Sequence, residues 1–175
     1  MRTILIWLGT LWFFVPISIA NQSVGFARAL GLPLARTPIS EKYLGKGKTW
    51  GAWYVAPLSA IGVLYLQRQS TVFHGIELLD YQRSDLPLIG LLMGWGVVAG
   101  DQVASFLKRL VGIKGGDPWW PIDQTNYVVG ALSAVMPITG WLGWEPVSFL
   151  LLFALPLHYY GNQVGYWLKL RSVPW

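Results

Sequence analysis

The chain has 175 residues, of which 54% are hydrophobic and only 12% charged, too little polar surface to cover the core of a soluble domain of this length. It contains no cysteine, which excludes disulfides, thiolate nucleophiles and cysteine-based zinc sites. A net charge of +5 fits either nucleic acid or an anionic membrane surface, and the placement of the charges along the chain decides between them.

Apolar runs predict five helices in chain order: 4–20, 50–66, 86–99, 127–144 and 147–170. A helix needs roughly 20 apolar residues to cross a bilayer core. The first, second and fourth runs approach that length, the third is short and meets Gly100-Asp101, and the fifth holds Pro156, His158, Asn162 and Gln163. Polar residues and proline within a span fit a helix that lines a protein cavity. The first run also fits a signal peptide, with Arg2 before it and Ser18-Ile19-Ala20 at its end. A retained helix suits the odd number of spans and the basic segment that follows.

Five spans place residues 21–49, residues 101–126 and the C-terminus on one side of the membrane. That side holds Arg28, Arg36, Lys42, Lys46, Lys48, Lys108, Arg109, Lys114, Lys169 and Arg171, ten of 13 basic residues; the other has Arg2, Arg68 and Arg83. The bias marks the basic side as cytoplasmic. The expected fold is an all-α membrane protein forming one domain over 1–175, N-terminus outside, C-terminus inside, with two cytoplasmic loops forming the site. Basic residues that flank spans leave no soluble face for nucleic acid. The outer loop, 67–85, reads as solvated surface, with no obvious partner for His74.

Two constellations carry chemistry. On a helix from Gly100, Asp101, Ser105, Lys108 and Arg109 share one face, with Asp101 and Lys108 roughly 10 Å apart along the axis. An acidic group at one end and a basic pair at the other match the polarity of a magnesium-bound triphosphate. Gly115-Gly116-Asp117-Pro118 reads as a loop, after which Asp123 can return to face Asp101. Two carboxylates suit a Mg²⁺ ion that bridges nucleotide phosphates. Helix capping by Asp101 and interfacial anchoring by Lys108-Arg109 are the structural alternatives. The second constellation, Leu44-Gly45-Lys46-Gly47-Lys48-Thr49-Trp50, lacks the first glycine of a P-loop and precedes a membrane span. Its glycines and Lys48 can still bind an anion; a positive-inside flank is the alternative.

Taken together, these segments, with Asp123-Gln124, Pro16-x-x-x-Ala20-Asn21, Asn162-x-x-Gly165-Tyr166 and Val173-Pro174-Trp175, resemble the CDP-archaeol synthase family over nearly the whole chain. The Ser-x-x-Lys-Arg pattern is also similar to the broader phosphatidate cytidylyltransferases. The resemblance implies a five-helix membrane enzyme that joins CTP to 2,3-bis-geranylgeranylglycerol 1-phosphate, requires Mg²⁺, and releases pyrophosphate. It implies Asp101 and Asp123 as metal ligands, Lys108 and Arg109 on the triphosphate, Lys48 and Lys114 closing the site, Thr49 and Ser105 as hydroxyl donors, and Asn21 and Asn162 as polar lining at the membrane boundary. The family usually has Asp at Lys46, Arg at Gly51 and a second acidic residue at Asn126. His158 is a candidate base and Trp119-Trp120 a candidate cover for the nucleotide.

Readings from other classes are a non-enzymatic lipid carrier or assembly protein, a cytidylyltransferase for diacyl phosphatidate, and a CDP-alcohol phosphotransferase. The last needs several Asp residues on neighbouring helix turns, which this sequence lacks.

Overall fold

The computed structural model describes residues 2–73 and 75–169. The Val173-Pro174-Trp175 tail, Arg171, Leu170 and His74 lie outside the described residues. Among the described residues, the chain forms five helices: α1 Arg2–Ala29, α2 Ala52–Gln69, α3 Leu86–Leu110, α4 Ile122–Thr139 and α5 Trp144–Trp167. The one extended pairing is an isolated antiparallel bridge between Pro38 and Thr49. By length and composition, α1 and α3 are each able to cross a membrane.

α3 is the centre of the bundle, and its glycines explain why. A Cβ on Gly94 would fall 2.2 Å from Pro57 Cα, and one on Gly90 2.7 Å from the Ile61 side chain, so this face lies directly on α2. Gly96 and Gly100 face α4 instead: added Cβ atoms would lie 2.5 Å from the Gly130 carbonyl oxygen and 2.2 Å from that of Asn126. Two small-xxx-small stripes thus let two neighbours approach the α3 backbone, the packing used where apolar burial alone gives helices little mutual preference. Around them Phe13, Ile17, Ile89, Met93, Val97, Val128 and Leu150 form the core, each at most 1% exposed.

Helix boundaries shift in ways that matter for function. α1 runs nine residues beyond the expected end at Ala20, so Asn21 is helical. α3 does not stop at Ala99. No proline interrupts it, and it carries Asp101, Ser105, Lys108 and Arg109 on one continuous helix. α4 begins after Pro121 rather than at Tyr127, which places Asp123 in its first turn, and ends before Gly140, whose φ is +83°. Negative charge in a first turn is favoured by the helix dipole.

The outer loop, expected to be solvated surface, is so only in part: Thr71, Val72, Asp80, Gln82 and Ser84 are exposed, but other residues pack onto the bundle. Leu79 and Tyr81 are 4% and 5% exposed, Phe73 stacks on Trp12 with centroids 4.5 Å apart, and a Cβ on Gly9 would meet the Ile76 carbonyl at 2.0 Å. The loop folds down onto α1 because Gly9 leaves room for its backbone.

Candidate active site

The segment between α1 and α2 turns back on itself. Ile39 N–H donates to the Lys48 carbonyl at 2.9 Å, Trp50 N–H to Thr37 at 3.1 Å and Gly51 N–H to Leu34 at 3.0 Å. Arg28, in the last turn of α1, holds the tip by donating to the Gly47 carbonyl at 2.7 Å. This hairpin-like loop delivers Lys48 and Thr49 to the end of α3.

Gly51 is fixed by the same fold. A Cβ there would lie 2.6 Å from Ala35 Cα and 2.7 Å from Ala35 N. An arginine therefore has no room at this position in this chain. Gly51→Arg is expected to lower stability by about 1–3 kcal/mol through forced backbone movement; an unchanged thermal midpoint would remove this explanation.

Two ion pairs define the centre of the site. Lys48 Nζ lies 2.7 Å from both carboxylate oxygens of Asp101. Lys108 Nζ lies 2.6 Å from Asp123 Oδ2, which also accepts the Trp119 N–H at 2.8 Å. Lys108 is only 6% exposed. The pairs bridge the first loop to α3 and α3 to α4, so all four groups converge from three segments far apart in sequence.

They sit in a cavity of about 760 Å³. Its mouth is formed by Glu41, Gly45–Gly47 and Gly115–Pro118, from both expected loops; its inner wall includes Val24, Val97 and Val98 from membrane-type helices. Asn21, Lys48, Thr49, Asp101, Ser105, Lys108, Arg109, Asp123 and Asn162 all line it, as does His158. Lys114 does not: after α3 the chain turns at Gly112 (φ +79°), Ile113 N–H bonds back to Lys108, and Lys114 is left exposed outside the lining. Trp119 and Trp120 do not line the cavity either; Trp120 is 69% exposed. Asn126 is likewise outside the lining, with its carbonyl against Gly100, whereas Lys46 is part of the mouth.

Arg109 lies between the two loops. One guanidinium nitrogen donates to the Ile113 carbonyl, and Cβ atoms built on Gly45 and Gly115 would lie 3.4 and 3.3 Å from another. Glycine on each loop leaves space for the planar head between them.

The lining also contains polar atoms with nothing to bond. Thr49 Oγ1, Gln102 Nε2, Gln124 Oε1 and Asn162 Oδ1 are buried without a hydrogen-bond partner, while Asn162 Nδ2 lies 3.4 Å from His158 Nδ1. Buried polar groups are nearly always satisfied, and each orphan costs about 1–3 kcal/mol. Four such atoms belong to residues that line this one cavity. Gln102, Arg28, Glu41 and Asp117 line the cavity too; the sequence carries no signal for them, because only the fold gathers these scattered polar residues around one space.

The donor set suits Mg²⁺. Among the described residues no three His, Cys, Asp or Glu side chains converge to cage a metal. Asp101 and Asp123 instead offer one carboxylate each. Magnesium is commonly held by one or two carboxylates, with substrate phosphates and water completing its shell.

A family model described as CarS-like, CDP-archaeol synthase, matches residues 1–175. The chain is 34% identical over 171 residues to a CDP-archaeol synthase of Methanopyrus kandleri, covering 94% of this chain and 91% of that one. It is 27% identical to the Sulfolobus acidocaldarius protein of the same name, covering 93% and 94%. A solved structure, of an intramembrane enzyme for archaeal membrane-lipid biosynthesis, superposes with a TM-score of 0.71 at 22% identity over 89% of this chain and 93% of that one, and so shares the fold.

Proposed function

The chain belongs to the CDP-archaeol synthase family, and on that basis we propose that it transfers CMP from CTP to 2,3-bis-geranylgeranylglycerol 1-phosphate, forming the CDP-lipid and pyrophosphate. The observation that carries this reading is one cavity with two unlike ends. Its loop mouth admits a water-soluble triphosphate, its inner wall of Val24, Val97 and Val98 adjoins the membrane helices, and the Lys48, Asp101, Lys108 and Asp123 groups lie among its lining.

The lipid phosphate is the nucleophile. One of its oxygens attacks the α-phosphorus of CTP, a new P–O bond forms, the α–β bridge breaks, and its electron pair leaves with pyrophosphate. No covalent enzyme intermediate is needed, so catalysis consists of positioning and charge neutralisation. Asp101 and Asp123 are the residues that would hold Mg²⁺, which when bound neutralises phosphate charge. Lys48 and Lys108, paired with those carboxylates in the free protein, supply ammonium groups to the phosphate oxygens. Thr49 and Ser105 donate hydroxyl hydrogens, and Arg109 lies between the loops that form the mouth. Asn21 and Asn162 line the lipid end. A phosphate dianion needs no base, so His158 serves as cavity wall against Tyr127, on which it stacks with centroids 6.1 Å apart.

All five helices span the membrane in this reading, as one domain over 1–175 of the cell membrane. The N-terminus is outside, and the C-terminus and both site loops are cytoplasmic. Ten of 13 basic residues on the loop side support that orientation. Trp141, Trp144 and Trp167, exposed at helix ends, fit an interfacial belt.

The test uses purified protein in detergent with Mg²⁺ and radiolabelled CTP, given the isoprenoid ether-lipid phosphate and a diacyl phosphatidate in parallel. Label passing into the organic phase with the ether lipid is the expected result. Label with the diacyl lipid alone would reassign the acceptor, and label with neither would overturn the reaction. Lys108→Ala is expected to raise the KM for CTP by about 10–100-fold, the value of a lost charge-assisted hydrogen bond; an unchanged KM would remove Lys108 from the nucleotide site.

A further inference from the structure

The two ion pairs of the active-site cavity are not equivalent. Lys48 Nζ lies 2.7 Å from each oxygen of Asp101, so one ammonium closes the whole carboxylate. Asp123 is closed on one side only. Its Oδ2 accepts both the Lys108 ammonium at 2.6 Å and the Trp119 N–H at 2.8 Å, and among the described residues no hydrogen bond reaches Oδ1. The lysines differ as well. The Lys108 side chain is 8% exposed and stands on the continuous helix α3. The side chains of Lys48 and Asp101 are 23% and 36% exposed. The Lys48 backbone is tied down, its N–H donating to the Gly45 carbonyl at 3.3 Å and its carbonyl accepting from Ile39 at 2.9 Å. Its ammonium, on a flexible four-carbon stem, can still leave Asp101 by side-chain rotation alone.

Resting on the reading of Asp101 as a metal ligand, we propose that Lys48 is an internal stand-in for the metal. It keeps Asp101 closed to divalent cations until a nucleoside triphosphate gives its ammonium other partners, so metal and nucleotide enter together. A bare cation would have to expel the ammonium from both carboxylate oxygens and leave it with nothing in return. The charge of the lining opposes that exchange further. Five basic and four acidic side chains line the cavity, a net charge of +1 with His158 neutral. A free dication is repelled by such a lining, whereas a triphosphate carrying the cation has the opposite sign and offers oxygens to the displaced ammonium. Metal and nucleotide then raise each other's affinity by one common factor. Lys108, buried and fixed on α3, stays beside Asp123 while Lys48 moves.

The experiment measures Mn²⁺, in place of Mg²⁺, bound to the purified full chain in dodecyl maltoside, by equilibrium dialysis at fixed ionic strength with no lipid present. Without nucleotide, Lys48→Met is expected to bind Mn²⁺ about 10-fold more tightly than the unsubstituted chain, the value of one competing hydrogen bond between charged groups. Lys48→Arg keeps the positive charge and is expected to bind as weakly as the unsubstituted chain. Lys48→Met combined with Asp101→Asn is expected to lose the gain, which places it on Asp101. Because Asp101 is partly exposed, loss of Lys48 leaves no buried charge, and the variant is expected to fold. Equal nucleotide-free affinity in the unsubstituted chain and Lys48→Met, or a gain that survives Asp101→Asn, would overturn the proposal. A further dialysis with excess CTP separates this proposal from the reading it rests on. Mn²⁺ retained with CTP by the unsubstituted chain but not by Asp101→Asn, together with no gain in Lys48→Met, would overturn the stand-in and leave the metal role of Asp101 intact. Mn²⁺ retained by no form of the protein, with CTP or without, would overturn both.

Discussion

Asp123→Ala is expected to lower CDP-lipid formation by a factor on the order of 10³ or more, the usual scale when a main charge-organising group is lost from phosphoryl transfer. It is also expected to destabilise the protein. Asp123 Oδ2 accepts both Lys108 Nζ at 2.6 Å and the Trp119 N–H at 2.8 Å. Lys108, at 6% exposure, would be left as a buried, unpaired ammonium. Removing one partner of a buried pair costs roughly 3–5 kcal/mol. From sequence alone, Asp123→Ala is expected to remove activity and leave the fold intact; the burial of Lys108 changes that expectation. Activity and stability therefore need separate readouts. Lys108→Met combined with Asp123→Ala removes the unpaired charge and is expected to recover much of the lost thermal midpoint without recovering turnover. Substantial turnover in the single variant would sink the metal-binding role of Asp123. A double variant no more stable than the single one would show that the pair is not what makes the substitution costly.

The grouping of these residues was legible in sequence to an unusual degree, because charge in an apolar chain is rare and each charged cluster stands out. Asp101, Ser105, Lys108 and Arg109 fall on one face by helical spacing, and the structure brings them into one cavity with Lys48 and Asp123. The pairing within the cluster was not legible. Nothing in the order of residues says that Lys48 meets Asp101 across 53 positions. Nor does it say that Arg109 lies between Gly45 and Gly115, a contact that depends on how two loops fold over a helix end.

Apolar composition alone sets helix ends too short: the run 86–99 and the helix expected from Gly100 are one continuous helix in the structure. α3 continues past Asp101 because leaving an apolar stretch does not break a helix; only a proline, a turn or lost hydrogen bonds would. The expected fourth run, 127–144, starts too late by the same logic. Pro121 and Gly140, at its two ends, were the better markers. The outer loop is solvated only in part. Its Glu77, Asp80 and Asp85 suggested solvated surface, yet its burial follows from a contact between Gly9 and Ile76, 67 positions apart, which local polarity does not encode.

Gly100→Val should separate the two helices that carry the site, and its effect is expected to exceed what the size of the side chain suggests. A Cβ at this position would lie 2.2 Å from the Asn126 carbonyl oxygen and 3.0 Å from Gly130 Cα, so backbone, not a flexible side chain, blocks it. α3 and α4 must then move apart next to Asp101, and Lys108 must lose its 2.6 Å contact with Asp123. Overpacking of this kind costs about 1–3 kcal/mol, and a displacement of about 1 Å in a positioned site can cost 10²-fold in rate. Gly62→Ala on α2 is the control. A Cβ there meets nothing within 4 Å, so the change is expected to be neutral or to stabilise the helix by up to about 1 kcal/mol. The comparison rests on the ratio of activity to stability. If Gly100→Val folds with a lowered midpoint but binds CTP and turns over normally, then the close α3–α4 approach serves the fold alone. Loss of turnover at temperatures well below the midpoint would tie that approach to the chemistry, because the glycine stripe that packs α3 on α4 is also what sets Lys108 against Asp123.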